Sequence, residues 1–363
     1  MVRVLILFDQ QADLETKRGA LGLVRSLGDE FAPDFRTLGF GGDWRDVPSA
    51  AALLRRMRGK FDIVHAWGGS ALAIAALGTN LPIAFSPTAS TTRRTIHWLR
   101  AILSYRHVEA IAPTTTLRRK LVERGIPIER CHLIRPGVEL ARIKRRHQTT
   151  LRADLGFADD DYVMLAPGES TRGAAHDHAL WTATVLHVLD IRYKLLIWGR
   201  GSQLDRIRNL SRKMGALTAV CIAEQKLRRK IDFEELPAVA DAVIVSAAGP
   251  VATLPIATCM AAGSPIVART SYTVGELLED RHTALMTGSN NHRDLARRIL
   301  DLRADSAIQW SIADMAKTEA FEYFSFTRFV NQYRSVYRQL AAGERVNVPE
   351  DAPGAGLRFH GRG

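Results

Sequence analysis

Strand-like apolar runs and helical patterns alternate along almost the whole chain, and they do so twice, with a lapse in between. In the first half the apolar runs are VLILF (4–8), DIVHAW (62–67), PIAFSP (82–87), EAIAPT (109–114) and CHLIRPG (131–137). Helical patterns over 17–27, 50–57, 92–105 and 116–124 separate them. Runs that are apolar throughout suit strands buried on both faces, and the helices between them are the crossovers that a parallel sheet requires. From 139 to 160 the alternation gives way to basic and polar residues, KRRHQTT at 144–150 among them, which reads as an interdomain linker. It then resumes with YVMLAPG (162–168), KLLIWG (194–199), AVCIAE (219–224), DAVIVSA (241–247), SPIVAR (264–269) and TALMTG (283–288). After Asn291 the pattern is helical to about Ala342, and a tail rich in Pro and Gly follows. The fold class is therefore α/β, with two similar parallel-sheet halves.

A chain of 363 residues exceeds what one ordinary core holds, which agrees with two domains. Cys131, Cys221 and Cys259 lie far apart at no metal-ligand spacing, so neither disulfides nor a zinc site is expected. The opening MVRVLILFDQ stops being apolar at Asp9, too early for a secretory core, and reads as a first strand. The longest membrane-span candidate, 66–77, contains Gly68 and Gly69 and falls short of the ~20 residues a span needs. A cytoplasmic protein is expected.

The formal charge of +12 calls for an acidic partner: nucleic acid, an anionic membrane surface, or a phosphate-bearing small molecule. Basic residues cluster at Arg93 and Arg94, at 118–120, at 144–146 and at 228–230. No aromatic interleaving or nucleic-acid motif accompanies them, so nucleic acid is not expected. Solvated helix faces account for such clusters by default, and peripheral contact with the inner membrane face is the next reading.

Several segments, taken in order, resemble the family 4 (group 1) glycosyltransferases of the GT-B fold. IAPTTTLRRKLVERGIPIERCHLIRPGVELARI (111–143) is similar to the strand, helix and Asn-Gly-Val-Asp stretch that closes the family's first domain, with Pro136-Gly137-Val138-Glu139 at the signature. KLLIWGRG (194–201) resembles the second donor-domain strand and its Gly-x-Gly turn. DAVIVSAAGPVATLPIATCMAAGSPIVA (241–268) resembles the stretch around the donor site, VGELLEDRHTALM (274–286) the segment that follows it, and FSFTRFVNQYRSVY (324–337) the final crossover helix. The resemblance implies two Rossmann-like domains facing a cleft. It sets an acceptor-side domain at 1–140, a linker at 141–160, a donor domain at 161–322, a crossover helix at 323–342 and a disordered tail at 343–363.

A sugar-nucleotide transferase must hold a diphosphate and stabilise the charge that grows on it, using backbone N–H groups at a helix N-terminus and cationic side chains. By resemblance the donor site takes in Gly168, Arg172, Gly173, Gly199, Gly201, Pro250, Val251, Ala252, Thr253, Thr258 and Glu276. Val251, Ala252 and Thr253 would offer N–H groups, Arg172 a cation, Glu276 a contact to the donor and Thr258 one to the ribose. An ordinary strand-to-helix turn is the competing reading of the loop Gly249-Pro250-Val251-Ala252-Thr253, and a helix-capping surface residue that of Arg172. The implied catalytic residues are His65, Arg172 and Glu276, with His65 facing the acceptor, although a lone histidine at a strand end is more often a packing residue.

The departures from the family pattern are specific. Its paired glutamates fall on Pro250 and Thr258, so neither position carries a carboxylate. The Arg-and-Lys pair is reduced to Arg172, with Glu169 adding a like charge near the phosphates. The opening Gly-Gly turn is replaced by Gln10-Gln11-Ala12-Asp13, and a histidine after the PIAF strand by Ser86 and Pro87. Asp9, His97, His176, Asp177 and His178 form no recognisable constellation, and His176 and His178 have no third ligand at zinc spacing. The implied function is transfer of a sugar from a nucleotide-sugar donor to a glycan, lipid or small-molecule acceptor, with retention and without a metal or other cofactor. A GT-B-fold protein that binds a nucleotide or glycan without catalysis remains the alternative.

Overall fold

The computed structural model describes residues 1–9, 12–38, 47–57, 59–88, 91–143, 149–227, 229–247, 249–288 and 291–349. Gln10 and Gln11, the basic cluster at 144–146, Arg228 and the tail from 350 lie outside the described residues. The chain divides into two compact units, Met1–Gly137 together with the stretch from Phe326, and Val138–Ser325.

The first unit runs β1 (Val2–Asp9), α1 (Leu14–Ser26), β2 (Phe31–Leu38), α2 (Val47–Arg56), β3 (Ile63–Trp67), α3 (Gly69–Gly78), β4 (Ile83–Ser86), α4 (Arg93–Leu103), β5 (Val108–Ala112), α5 (Thr115–Glu123) and β6 (Cys131–Leu133). Its strands form one parallel sheet in the order β2-β1-β3-β4-β5-β6. Both faces are buried, as the unbroken apolar runs require. Leu5 and Leu7 of β1 join the core under α2–α5, while Val4, Ile6 and Phe8 join the core under α1.

Two elements escape the sequence pattern for opposite reasons. Strand β2, FAPDFRTL, is interrupted by polar residues and Pro33, which only an edge position tolerates, and β2 is an edge strand. Helix α3, GSALAIAALG, is apolar nearly all round, so it has no amphipathic stripe; it is buried along most of its length.

The second unit contains α6 (Thr149–Asp154), β7 (Tyr162–Ala166), α7 (His176–Leu189), β8 (Tyr193–Ile197), α8 (Leu204–Lys213), β9 (Val220–Ile222), α9 (Ala223–Lys226), β10 (Ala242–Val245), α10 (Leu254–Ala261), β11 (Ile266–Arg269), β12 (Leu285–Thr287), α11 (His292–Ala304) and α12 (Ser306–Tyr323). The short helix α6 lies inside the stretch read as linker. The sheet is again parallel, in the order β12-β11-β10-β7-β8-β9. The chain winds outward from β7 through β8 to β9, crosses back, and winds the other way from β10 to β12. In such a sheet the carboxyl ends of the two strands flanking the reversal frame the binding crevice. Here those strands are β7 and β10.

Helix α13 (Phe326–Ala342) belongs to the first unit. Its buried stripe of Phe329, Val330, Tyr333, Val336, Tyr337 and Leu340 covers the same sheet face as α1. Among the described residues no helix is long and apolar enough to cross a membrane.

Candidate functional site

Three loops leave the carboxyl ends of the neighbouring strands β10, β7 and β8, and the structure ties them together. The β7–α7 loop carries Gly168, Glu169, Ser170, Thr171, Arg172 and Gly173. A side chain at Gly173 would collide with the carbonyl oxygen of Pro250, so this glycine lets the β7 loop rest directly on the loop that enters α10. Gly201 does the same on the other side: at φ +112° its Cβ would sit 2.5 Å from the Ser170 backbone. Ser170 N–H donates to the Arg200 carbonyl at 2.7 Å, and the Ser170 carbonyl accepts from Gln203 N–H at 2.8 Å. The structure therefore brings Gly168, Arg172, Gly173, Gly201, Pro250, Val251, Ala252 and Thr253 to the carboxyl end of one sheet.

The Arg172 side chain is exposed and, among the described residues, has no hydrogen bond or ion pair. Arg200, on the β8 turn between Gly199 and Gly201, is differently placed. Its Nε donates to Glu224 Oε1 at 2.6 Å, and its guanidinium stacks 4.9 Å from the Trp198 ring. At the start of α10, Thr253 is the N-cap residue with a helical backbone and no side-chain cap bond, so the first-turn amides are not capped by the Thr253 hydroxyl. Pro255 stands within the first two helical positions, where its missing N–H costs nothing. Glu276 lies on a single helical turn, Val274–Glu276, after β11, the strand next to β10.

Two of the expected site residues are not available for the roles assigned to them. Thr258 is 2% exposed, and its hydroxyl donates to the Leu254 carbonyl at 2.8 Å within α10, so it does not reach a ribose. His65 is fully buried in the first unit. Its Nδ1 lies 2.6 Å from the Tyr337 hydroxyl and its Nε2 2.8 Å from Ser86 Oγ, which is in turn 2.8 Å from the Tyr333 hydroxyl. Burial pushes its pKa down to about 3, so the ring is neutral. His65 is a packing residue that ties β3 and β4 to α13; it does not face an acceptor.

The structure also gives roles to residues that the sequence offers only as unassigned polar candidates or does not mark at all. His176, at the start of α7, is 3% exposed and bonded to the β7 loop at both nitrogens: Nδ1 is 2.9 Å from Ser170 Oγ and Nε2 3.2 Å from the Pro167 carbonyl oxygen. Burial lowers its pKa to about 4. Ser246, just after β10, donates to the carbonyls of Ala174 and Ala175 at 3.1 and 2.9 Å. Nothing in sequence spacing marks Ser246, which needed the β7–β10 adjacency to be found. Among the described residues no three His, Cys, Asp or Glu side chains converge as a metal site.

The family described as Glycosyltransferase Family 4 matches residues 2–142, and that described as Glycosyl transferases group 1 matches residues 147–319. EpsD of Bacillus subtilis (strain 168) is 22% identical over 213 residues, which is 59% of this chain and 52% of EpsD. The match thus spans about half the length of that curated relative. Among solved structures, HepE of Anabaena in complex with UDP and glucose has a TM-score of 0.77 at 15% identity, covering 93% of this chain and 100% of that one. Sucrose-phosphate synthase from Thermosynechococcus elongatus has a TM-score of 0.75 at 15% identity, covering 95% and 100%. At these identities the structural likeness establishes the fold, and the family matches establish the kinship. The chain belongs to the group 1 glycosyltransferases, with an N-terminal family 4 domain and the GT-B fold of two Rossmann-like units.

Proposed function

We propose that this glycosyltransferase moves a sugar from a nucleotide-sugar donor held by the second unit to a glycan, lipid or small-molecule acceptor taken by the first, with retention of configuration and without a resident metal. The observation that carries this reading is Arg172. An exposed guanidinium with no described partner sits on the loop after β7, and the next residue rests on the loop entering α10. A diphosphate at the β7–β10 crevice would meet that cation together with the amides of Val251, Ala252 and Thr253.

As the glycosyl bond breaks, negative charge accumulates on the leaving phosphate. A cation and oriented N–H dipoles stabilise that charge more than the ground state, which is what lowers a barrier. In this scheme a phosphate oxygen of the leaving group accepts the acceptor hydroxyl's proton, and the protein contributes position and field. Glu276 contacts the transferred sugar. Pro250 and Thr258 cannot replace ionic acceptors to sugar and ribose hydroxyls, each worth roughly 1.5–3 kcal/mol. The phosphate grip should therefore persist while sugar and ribose selection loosens.

The first unit offers a surface for peripheral contact with anionic lipid. Arg93, His97 and Arg100 of α4 are exposed together with Trp98, and Arg119 and Arg124 of and beside α5 are exposed nearby, where Lys120 Nζ reaches the Thr91 carbonyl. Incubating the protein with UDP-, GDP- and ADP-sugars and candidate acceptors, with NMR of released nucleoside diphosphate and of the product anomer, tests the transfer. Turnover with an unchanged anomeric configuration supports it; an inverted product removes retention, and no turnover with any donor removes the enzymatic reading.

A further inference from the structure

We propose that His176 and Ser246 are positioning residues, a latch from two elements that holds the β7–α7 loop in the one conformation that presents Arg172 to the donor diphosphate. This rests on the reading of the second unit as the donor side.

The bonding pattern determines the protonation of His176. The Pro167 carbonyl only accepts, so Nε2 carries the proton and donates to it at 3.2 Å. Nδ1 then accepts, and the fully buried Ser170 hydroxyl donates to it at 2.9 Å. One neutral imidazole thus fixes the first residue of the loop and its middle. Ser246, just after β10, fixes the far end through the carbonyls of Ala174 and Ala175. That end needs holding: Ala175 adopts φ +51°, ψ +44°, the left-handed region in which a residue with a Cβ is strained. Gly173 against Pro250 and Ser170 against Gly201 complete the contacts.

Every fixed point of the loop thus faces the protein, whereas Arg172, between Ser170 and Gly173, is the exposed residue. An arginine on an unpinned loop would have to be ordered when the phosphate binds, and that ordering is subtracted from affinity. A pinned loop spends it in folding. In this arrangement Arg172 and His176 both follow β7, and Ser246, just after β10, fastens their loop from the neighbouring strand at the point where the sheet reverses.

A double-mutant cycle separates aiming from mere stabilisation. The probes are UDP, GDP and ADP, the tightest being carried forward, with Kd read by calorimetry on the full chain. His176→Leu and Ser246→Ala should each weaken binding by about tenfold, and in either background Arg172→Ala should cost much less than in the wild type. His176→Gln, which keeps a donor and an acceptor, should recover part of the affinity. Should His176→Leu fail to fold, Ser246→Ala decides the matter alone. If Arg172→Ala costs the same in every background, the latch idea is wrong while the donor reading stands. If the wild type binds none of the three nucleotides, the donor reading falls and takes the latch with it.

Discussion

The relocation of His65 from site to core can be tested through its partner Tyr337. Tyr337→Phe keeps the ring, with its edge contact to Phe31 at 5.9 Å, and deletes only the hydroxyl 2.6 Å from His65 Nδ1. Both residues are fully buried, so no water replaces the lost group and one imidazole nitrogen is left unpartnered. Stranding a buried polar group of this kind costs about 1–3 kcal/mol. Taking about 2 kcal/mol, and about 2–4 °C per kcal/mol for a unit of this size, the melting temperature of the first unit should fall by roughly 4–8 °C. Calorimetry is the suitable assay because the two units can melt separately. Turnover per folded molecule should be unchanged, since the network ties α13 to the sheet and touches no substrate. An unchanged melting temperature, or a loss of turnover without a loss of stability, would refute the reasoning.

Two further outcomes follow from burial and from charge. His65 and His176 have folded pKa values lowered to about 3 and about 4, below the unfolded value near 6.5, so both contribute stability that is whole above pH ~6.5 and is lost as pH falls towards those values. By about pH 5 each unit should have lost about 2 kcal/mol, visible as a falling denaturation midpoint; a midpoint flat from neutrality to pH ~5 would contradict the burial of these rings. Retention on anionic vesicles should drop steeply with salt, because exposed charges are screened beyond ~8–10 Å, and equal retention on neutral vesicles would exclude the basic surface of α4 and α5 as its cause.

How far the fold and site could be read from sequence depended on which physical signal each element carries. Unbroken apolar runs marked β1, β3–β6, β7, β8 and β10–β12, because strands buried on both faces have no polar alternation to hide them. Strand β2 lacked such a run, since an edge strand does not need one, and α3 lacked a stripe, since a helix buried all round has none. AVCIAE was read as strand throughout, yet only Val220–Ile222 is strand and Ala223–Lys226 is helix. The loops after β7 and β8 are legible as loops because glycines stand at the strand ends. The role of Ser246 is not, since it arises from a neighbour far away in sequence. His65 sat at a plausible strand end, but which way a strand residue points decides between core and site, and α13, the helix it faces, arrives only at the end of the chain. Thr258 resembles a family position in sequence, and only the helical backbone shows that its hydroxyl bonds the Leu254 carbonyl.

The central claim is that the second unit grips a nucleoside diphosphate through Arg172. Calorimetric titration of the wild type and of Arg172→Ala with UDP, GDP and ADP measures this grip without any assumption about sugar or acceptor. At least one nucleotide should bind the wild type. Loss of a charged hydrogen bond worth roughly 1.5–3 kcal/mol should then weaken it about ten- to a hundredfold in the variant. Equal affinities, or no binding of any of them at millimolar concentration, would contradict that claim.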